Sequence, residues 1–173
     1  MNKILISACF LGQKVRYNGE IKSLIDMPVK TNEAQSVIEK QLFLWQKLFH
    51  WQQEGRLFSI CPEVIGGLSV PRDPAEINQI TGKVITINQV DVSEAFNIGA
   101  QHALDLCKRY NIKFALLKEF SPSCGSTSVY DGHFNGEKIS GQGITSKLLI
   151  AHGIQVYSEQ SFDLLVKAIS VNQ

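Results

Sequence analysis

The chain has no excess of charge of either sign: 173 residues hold 17 lysines and arginines against 16 aspartates and glutamates, a net charge of +1. That balance leaves no electrostatic footprint of the kind that binds a polyanion, so nucleic acid is not indicated as a partner. No apolar run approaches the ~20 residues of a membrane span. Residues 1–11 are too short and too soon interrupted to serve as a signal peptide. The chain is therefore expected in the cytoplasm, away from the membrane. Internal repeats, low-complexity tracts and linkers are missing too, and at this length a single domain over residues 1–173 is expected. No Cys-x-x-Cys pair occurs, and no histidine is placed as a convincing base beside a cysteine. His50 stands among aromatics on a helical stretch and reads as a surface or packing residue. Nothing in the sequence speaks to oligomeric state.

What is present is four cysteines, Cys9, Cys61, Cys107 and Cys124. In a reducing compartment they are free thiols, metal ligands or catalytic groups rather than disulfides. Three of them follow the same kind of segment. Residues 3–8, KILISA, read as a strand running into Cys9. Residues 56–60 read as a second strand, ending at Cys61 and then Pro62 and Glu63. Residues 114–117, FALL, form a short apolar run of the sort that suits a strand covered on both faces, and Pro122 stops any ladder before Cys124. Cys107 falls instead in the last turn of a helix and reads as a small buried hydrophobe.

The spacing of apolar residues predicts helices over 35–54 and 91–110, the second opened by Asp91 or Ser93 as N-cap. A short helix is expected over 144–152, a strand over 154–157 and a last helix over 161–170. Residues 10–20 and 64–76, punctuated by glycine and proline, read as loops, the second wrapping a ligand. Residues 81–90 read as an edge strand or hairpin arm, and 129–142, with Asp-Gly and Asn-Gly, as a hairpin or flap. Strands alternating with helices imply an α/β fold, a layered sandwich with a mostly parallel sheet flanked by helices. Right-handed crossovers place the parallel strand ends on one edge, where Cys9, Cys61 and Cys124 would meet.

Three readings of that meeting stand open. The thiols are unrelated small residues in turns, or a nucleophile with its resolving partner, or metal ligands. Soft thiolates select zinc or iron-sulfur clusters, and a structural zinc site would want a fourth ligand. A cubane cluster on three protein thiolates leaves one iron open, a Lewis acid able to capture a soft atom such as sulfur.

The segments SACFLG at 7–12, RYNG at 16–19, CPEVIGGL at 61–68, PRDPAE at 71–76, DVSEAFNIGA at 91–100, KEFSPSCGS at 118–126, YDGHFNG at 130–136 and GQGIT at 141–145 resemble the DUF523 family. Its characterised branch is the thiouracil desulfurase (desulfidase) enzymes. The resemblance implies a 4Fe-4S cluster held by Cys9, Cys61 and Cys124, with one iron not ligated by protein and free to bind the sulfur of a small thiolated nucleobase. It implies replacement of C=S by C=O with release of hydrosulfide and no net redox, and it carries over Glu63 as the proton-handling carboxylate. Ser121 and Ser123 are candidates to orient substrate or water, against a role in capping the turn. Lys118, Arg72 and Glu76 are candidates to hold the substrate, against an ion pair with Glu76 that fixes the loop. Asp131 reads as a turn residue. Phe10 stands where leucine is more common and is expected to narrow the pocket, and Asn18 stands where aspartate is common. Two other functions remain open: action on thiouridine in nucleosides or RNA, and a cluster- or metal-binding redox sensor without turnover.

Overall fold

The computed structural model describes residues 1–20 and 35–171. Four short strands, β1 (Ile4–Ser7), β2 (Leu57–Ile60), β5 (Phe114–Leu117) and β8 (Gln155–Ser158), form one sheet in the order β2-β1-β5-β8. Every pair in it is parallel, with Ile4 opposite both Leu57 and Phe114, and Phe114 opposite Gln155. The expected α/β architecture is the one observed.

Alternation of side chains along these strands decides the two faces. Ile4, Ile6, Phe114 and Leu116 turn to one side and pack with Leu48 and Trp51 of α1 (Gln35–Gln53) and with Phe162, Leu165 and Ile169 of α5 (Phe162–Val171). Leu5, Ala115 and Leu117 turn to the other. There they meet Ala103, Leu104 and Cys107 of α3 (Ser93–Tyr110) and Leu149 of α4 (Ile144–Ala151). With both faces covered, β1 and β5 have no exposed position, as their unbroken apolar runs require. Phe10, buried completely, packs into the first of these clusters and does not narrow the pocket as expected.

Two hairpins stand outside the parallel sheet, and in the first residues 81–90 take the hairpin-arm reading rather than the edge-strand one. Residues 81–90 supply β4 (Val84–Thr86), which pairs antiparallel with β3 (Ala75–Ile77) in a sheet of its own rather than joining the edge of the parallel one. Its partner lies at the end of the stretch expected to be loop, because a three-residue strand has too little pattern to register. The first two residues of that stretch also belong to α2 (Pro62–Ile65), a single turn with Pro62 at its first position. The hairpin expected over 129–142 is present as β6 (Ser128–Tyr130) with β7 (Lys138–Ser140). Ile77, Val84 and Val129 of the hairpins close on Phe96 of α3.

The N-terminus of α3 also differs from expectation. Val92 holds the cap position; Asp91 Oδ1 accepts from Ser93 N at 3.0 Å, and Ser93 Oγ accepts from Val84 N at 2.9 Å. The serine joins hairpin to helix rather than capping the helix. Close approach of α2 to α3 depends on two glycines: a Cβ on Gly66 would stand 1.9 Å from Ala95 O, and one on Gly99 would stand 1.9 Å from Pro62 O. Together they let the Cys61-Pro62-Glu63 turn lie flush on α3. No helix among the described residues is long and apolar enough to cross a membrane.

Candidate active site

The sheet order reverses between β1 and β5: the chain leaves β1 toward β2 on one side and leaves β5 toward β8 on the other. A crevice opens outside the carboxyl ends of strands at such a point. Here it is a cavity of about 360 Å³, walled by the strand ends, the Cys61 turn and residues of both hairpins.

Cys9, Cys61 and Cys124 all line it. Cys9 sits on a single 3₁₀ turn after β1, closed by Gly12 in the left-handed conformation. Cys61 caps the N-terminus of α2, with its Sγ 3.7 Å from Val15 O. Cys124 lies deepest, on a loop stitched into place from both ends. Ser121 Oγ accepts from Cys124 N at 3.1 Å, and Ser146 Oγ donates to Cys124 O at 2.6 Å. The first turn of α4 completes the anchorage. Ile144 N donates to Pro122 O and Thr145 N to Ser123 O, both at 2.9 Å, so helix-end amides that lack intrahelical partners are satisfied by this loop.

Glu63 faces the same cavity. Arg72 donates to its Oε2 from Nε at 3.0 Å and from Nη2 at 2.7 Å, and Ser121 Oγ lies 3.4 Å from its Oε1. Arg72 is itself fixed by the carbonyls of Val15 and Ser69, each at 3.1 Å. One carboxylate oxygen is therefore held by the guanidinium while the other is turned to the Ser121 hydroxyl.

The remaining sequence candidates divide. Lys118 lines the cavity, but its ammonium is ion-paired with Glu159 and also donates to Glu119 O at 3.2 Å. Glu76 lines it as well, and its Oε2 takes the amides of Gly132 and Phe134 at 3.0 and 3.1 Å. The expected ion pair with Glu76 is not formed: Arg72 pairs with Glu63 and Lys118 with Glu159. Ser123 does not reach the cavity. It is wholly buried, with its Oγ 2.8 Å from Thr145 Oγ1, behind the loop that Ser121 fronts. Asp131 is the turn residue expected, accepting from His133 N and Asn135 Nδ2 at 2.9 Å each. Asn18 likewise accepts from Glu20 N at 3.1 Å.

Residues 4–161 match the family model described as 2-thiouracil desulfurase. The chain belongs to this family. A Bacillus subtilis (strain 168) relative, the uncharacterized protein YbbK, is 36% identical over 168 residues, covering 92% of this chain and 97% of the relative. Among solved structures, the 4Fe-4S-dependent thiouracil desulfidase TudS superposes with a TM-score of 0.83 at 43% identity, over 99% of both chains.

The donor set of this desulfurase-family chain suits an iron-sulfur cluster. All three thiols are free. They line the cavity without converging on a point: among the described residues, no three Cys, His, Asp or Glu side chains gather closely enough to hold one metal ion. Burial raises all three thiols, Cys9 to about 11, with Cys61 adding to the effect on Cys9. Glu63 and Cys61 add to the effect of burial on Cys124. Lys118 and Arg16 oppose the shift at Cys9, and Arg72 opposes it at Cys61. Three thiolates here need positive charge among them, which the iron of a cluster supplies.

Sequence reasoning passed over Glu119 and Phe120. Glu119 is buried, and its carboxylate collects the amides of Ser126, Thr127 and Ser128 at 3.1, 3.0 and 2.9 Å and the Ser126 hydroxyl at 2.6 Å. A charged residue within a hydroxyl-rich loop is the one signal of it in the sequence. Phe120 lines the cavity in a conformation that no sequence pattern announces.

Proposed function

We propose that the chain, acting over residues 1–173 as a single catalytic domain, removes sulfur from thiolated pyrimidine nucleobases such as thiouracil. The reaction exchanges C=S for C=O with water and releases hydrosulfide, with no net oxidation or reduction. What carries this reading is one cavity that holds three free thiols together with a carboxylate and a hydroxyl in mutual contact.

Cys9, Cys61 and Cys124 would hold a 4Fe-4S cluster with one iron left to an outside ligand. When bound, it supplies a Lewis acid for the sulfur that leaves. The chain's own residues handle the proton. Glu63 Oε1, the oxygen not held by Arg72, takes a proton from the water that attacks the thiocarbonyl carbon. The same carboxyl returns it to the sulfur as the C–S bond breaks, and the proton left on the new hydroxyl is lost to water as C=O forms and hydrosulfide departs. Ser121 Oγ, 3.4 Å from that oxygen, orients the water or the substrate. Arg72 is a positioning residue for Glu63. Lys118 and Glu76, on the cavity wall, meet the polar edge of the base. Ser123 supports the loop from behind, through Thr145.

The test is anaerobic reconstitution with iron and sulfide, followed by measurement of sulfide released from 2-thiouracil and 4-thiouracil. Cluster uptake with stoichiometric sulfide and uracil is the expected result. A protein that takes up no cluster, or that holds one and releases no sulfide from either base, overturns the proposal.

A further inference from the structure

Phe120 has a φ of 66°, in the left-handed region that a bulky side chain enters only at a cost. Glycine or asparagine would take the same backbone with less strain. Its neighbours impose the conformation from both sides. Before it, Glu119 N donates to Glu159 Oε2 at 3.0 Å, and the Glu119 carboxylate is tied to the amides of 126–128. After it, Ser121 Oγ accepts from the amides of Ser123 and Cys124, both at 3.1 Å, and Phe120 itself forms an isolated bridge with Val129. Phe134 has a comparable φ of 55°, but it sits in the turn of the β6–β7 hairpin and is not part of the cavity wall. Phe120 lies in no hairpin turn, and it is one of the residues that line the cavity holding the thiols.

That ring is also held in place. Lys138 Nζ on β7 stands 4.0 Å from its centroid and 5.8 Å from that of Tyr130, which lines the cavity too. Lys138 is not among the residues that line the cavity, so it caps the Phe120 ring from the hairpin side. Lys118 Nζ, 5.7 Å from the same centroid, is drawn aside to Glu159. A phenylalanine on the wall of the thiol cavity, fixed by a strained backbone and with its ring backed by a cation, is suited to offer a preformed surface to a flat ring.

The geometry points to Phe120 as the stacking platform for the substrate ring, and so as the residue that makes this site select planar heteroaromatic thiocarbonyls over puckered ones. The inference rests on the desulfidase reading above and assigns the group that recognises the ring in that same site. Stacking needs parallel flat faces. Saturating the 5,6 bond of 2-thiouracil puckers the ring and leaves the thiocarbonyl in place.

The experiment compares kcat/KM for 2-thiouracil and 5,6-dihydro-2-thiouracil in the reconstituted wild type, Phe120→Gly, Phe120→Leu and Phe120→Trp. The wild type is expected to favour the planar base. Phe120→Gly and Phe120→Leu each lower that preference about tenfold, chiefly by raising KM for 2-thiouracil, as loss of one base–aromatic stack does. Phe120→Trp restores it. Leucine keeps apolar bulk without an aromatic face, so it separates stacking from simple filling and still gives a reading if the glycine variant does not fold. A preference within twofold of wild type in both Phe120→Gly and Phe120→Leu overturns the inference. Turnover of neither compound by the wild type overturns the desulfidase reading instead. Equilibrium dialysis of the two compounds then decides the stacking: a tenfold loss of affinity for 2-thiouracil alone supports it, and unchanged affinity sinks it.

Discussion

Cys124 and Cys107 belong to the same apolar cluster, both are almost fully buried, and burial raises both thiols, Cys107 to about 11. Their surroundings differ at the level of charge. Burial alone acts on Cys107, within the last turns of α3. Cys124 feels Glu63, Cys61 and Cys9 as well, with Ser7 donating a partly offsetting hydrogen bond. The interior of the cluster and its edge at the strand ends thus hold the same side chain at the same depth, and only the edge gives it company that chemistry can use. Burial does not separate the thiol of Cys107 from that of Cys124, proposed as a ligand; the neighbours do.

The largest predicted effect tests that contrast. Cys124→Ala is expected to lose the cluster and with it all measurable sulfide release, whereas Cys107→Ala keeps iron content and rate and loses about 1 kcal/mol of stability for its small cavity. Iron and sulfide analysis beside thermal unfolding reads both. If Cys107→Ala lost iron as fully as Cys124→Ala, depth rather than company would be what matters and the contrast would break.

A second effect separates the proposed ligands from the proposed proton carrier within the edge. Glu63→Gln preserves the shape of the Arg72 contact and removes the ability to accept a proton. Turnover should fall by about 10²–10⁴-fold, the usual contribution of a positioned acid or base. Iron content and the cluster's absorption should stay at wild-type levels. An unaltered rate would move the proton chemistry elsewhere on the cavity wall, with Ser121 the next group to test.

How much of this the sequence discloses follows the same division. β1, β2 and β5 are readable because each is a short apolar run followed by a cysteine-bearing turn, and parallel topology puts Cys9, Cys61 and Cys124 at one edge, where they line the same cavity. The partners of Arg72 are not readable, since Glu63 and Glu76 lie nine and four residues from it and only the fold of the intervening turn chooses between them. Ser121 and Ser123 look equivalent in SPSC. Yet the turn puts one hydroxyl on the cavity and the other on Thr145. β3, three residues long, carries too little periodicity to be seen beside its loop. Phe120 is the extreme case, because its left-handed backbone is imposed by hydrogen bonds to residues on either side and contradicts its own propensity.

Glu119 gives the smallest and most local effect, and it sharpens the comparison of the two thiols because its carboxylate is hydrogen-bonded to residues 126–128, in the loop that follows Cys124. Burial pushes its carboxyl upward, but the hydrogen bonds from Ser126, Thr127 and Ser128 outweigh that and hold it below the usual carboxylate range. A carboxyl whose folded value is depressed contributes stability that is fully present above the unfolded value of ~4.3 and is lost as pH falls through the folded one. Cluster-free protein should therefore lose stability on acidification below about pH 4.5 partly through this group. Glu119→Gln should weaken that part of the acid dependence. At neutral pH the same variant should cost about 1–3 kcal/mol, since an amide cannot accept at both ends and leaves buried donors unmet. Hydrogen exchange locates the loss: the amides of Ser126, Thr127 and Ser128, now donating to Glu119, should exchange faster in the variant, while those around Cys107 keep their protection. Equal loosening of both regions would show that the edge and the interior open as one unit, and the separation drawn between the two thiols would then be chemical without being mechanical.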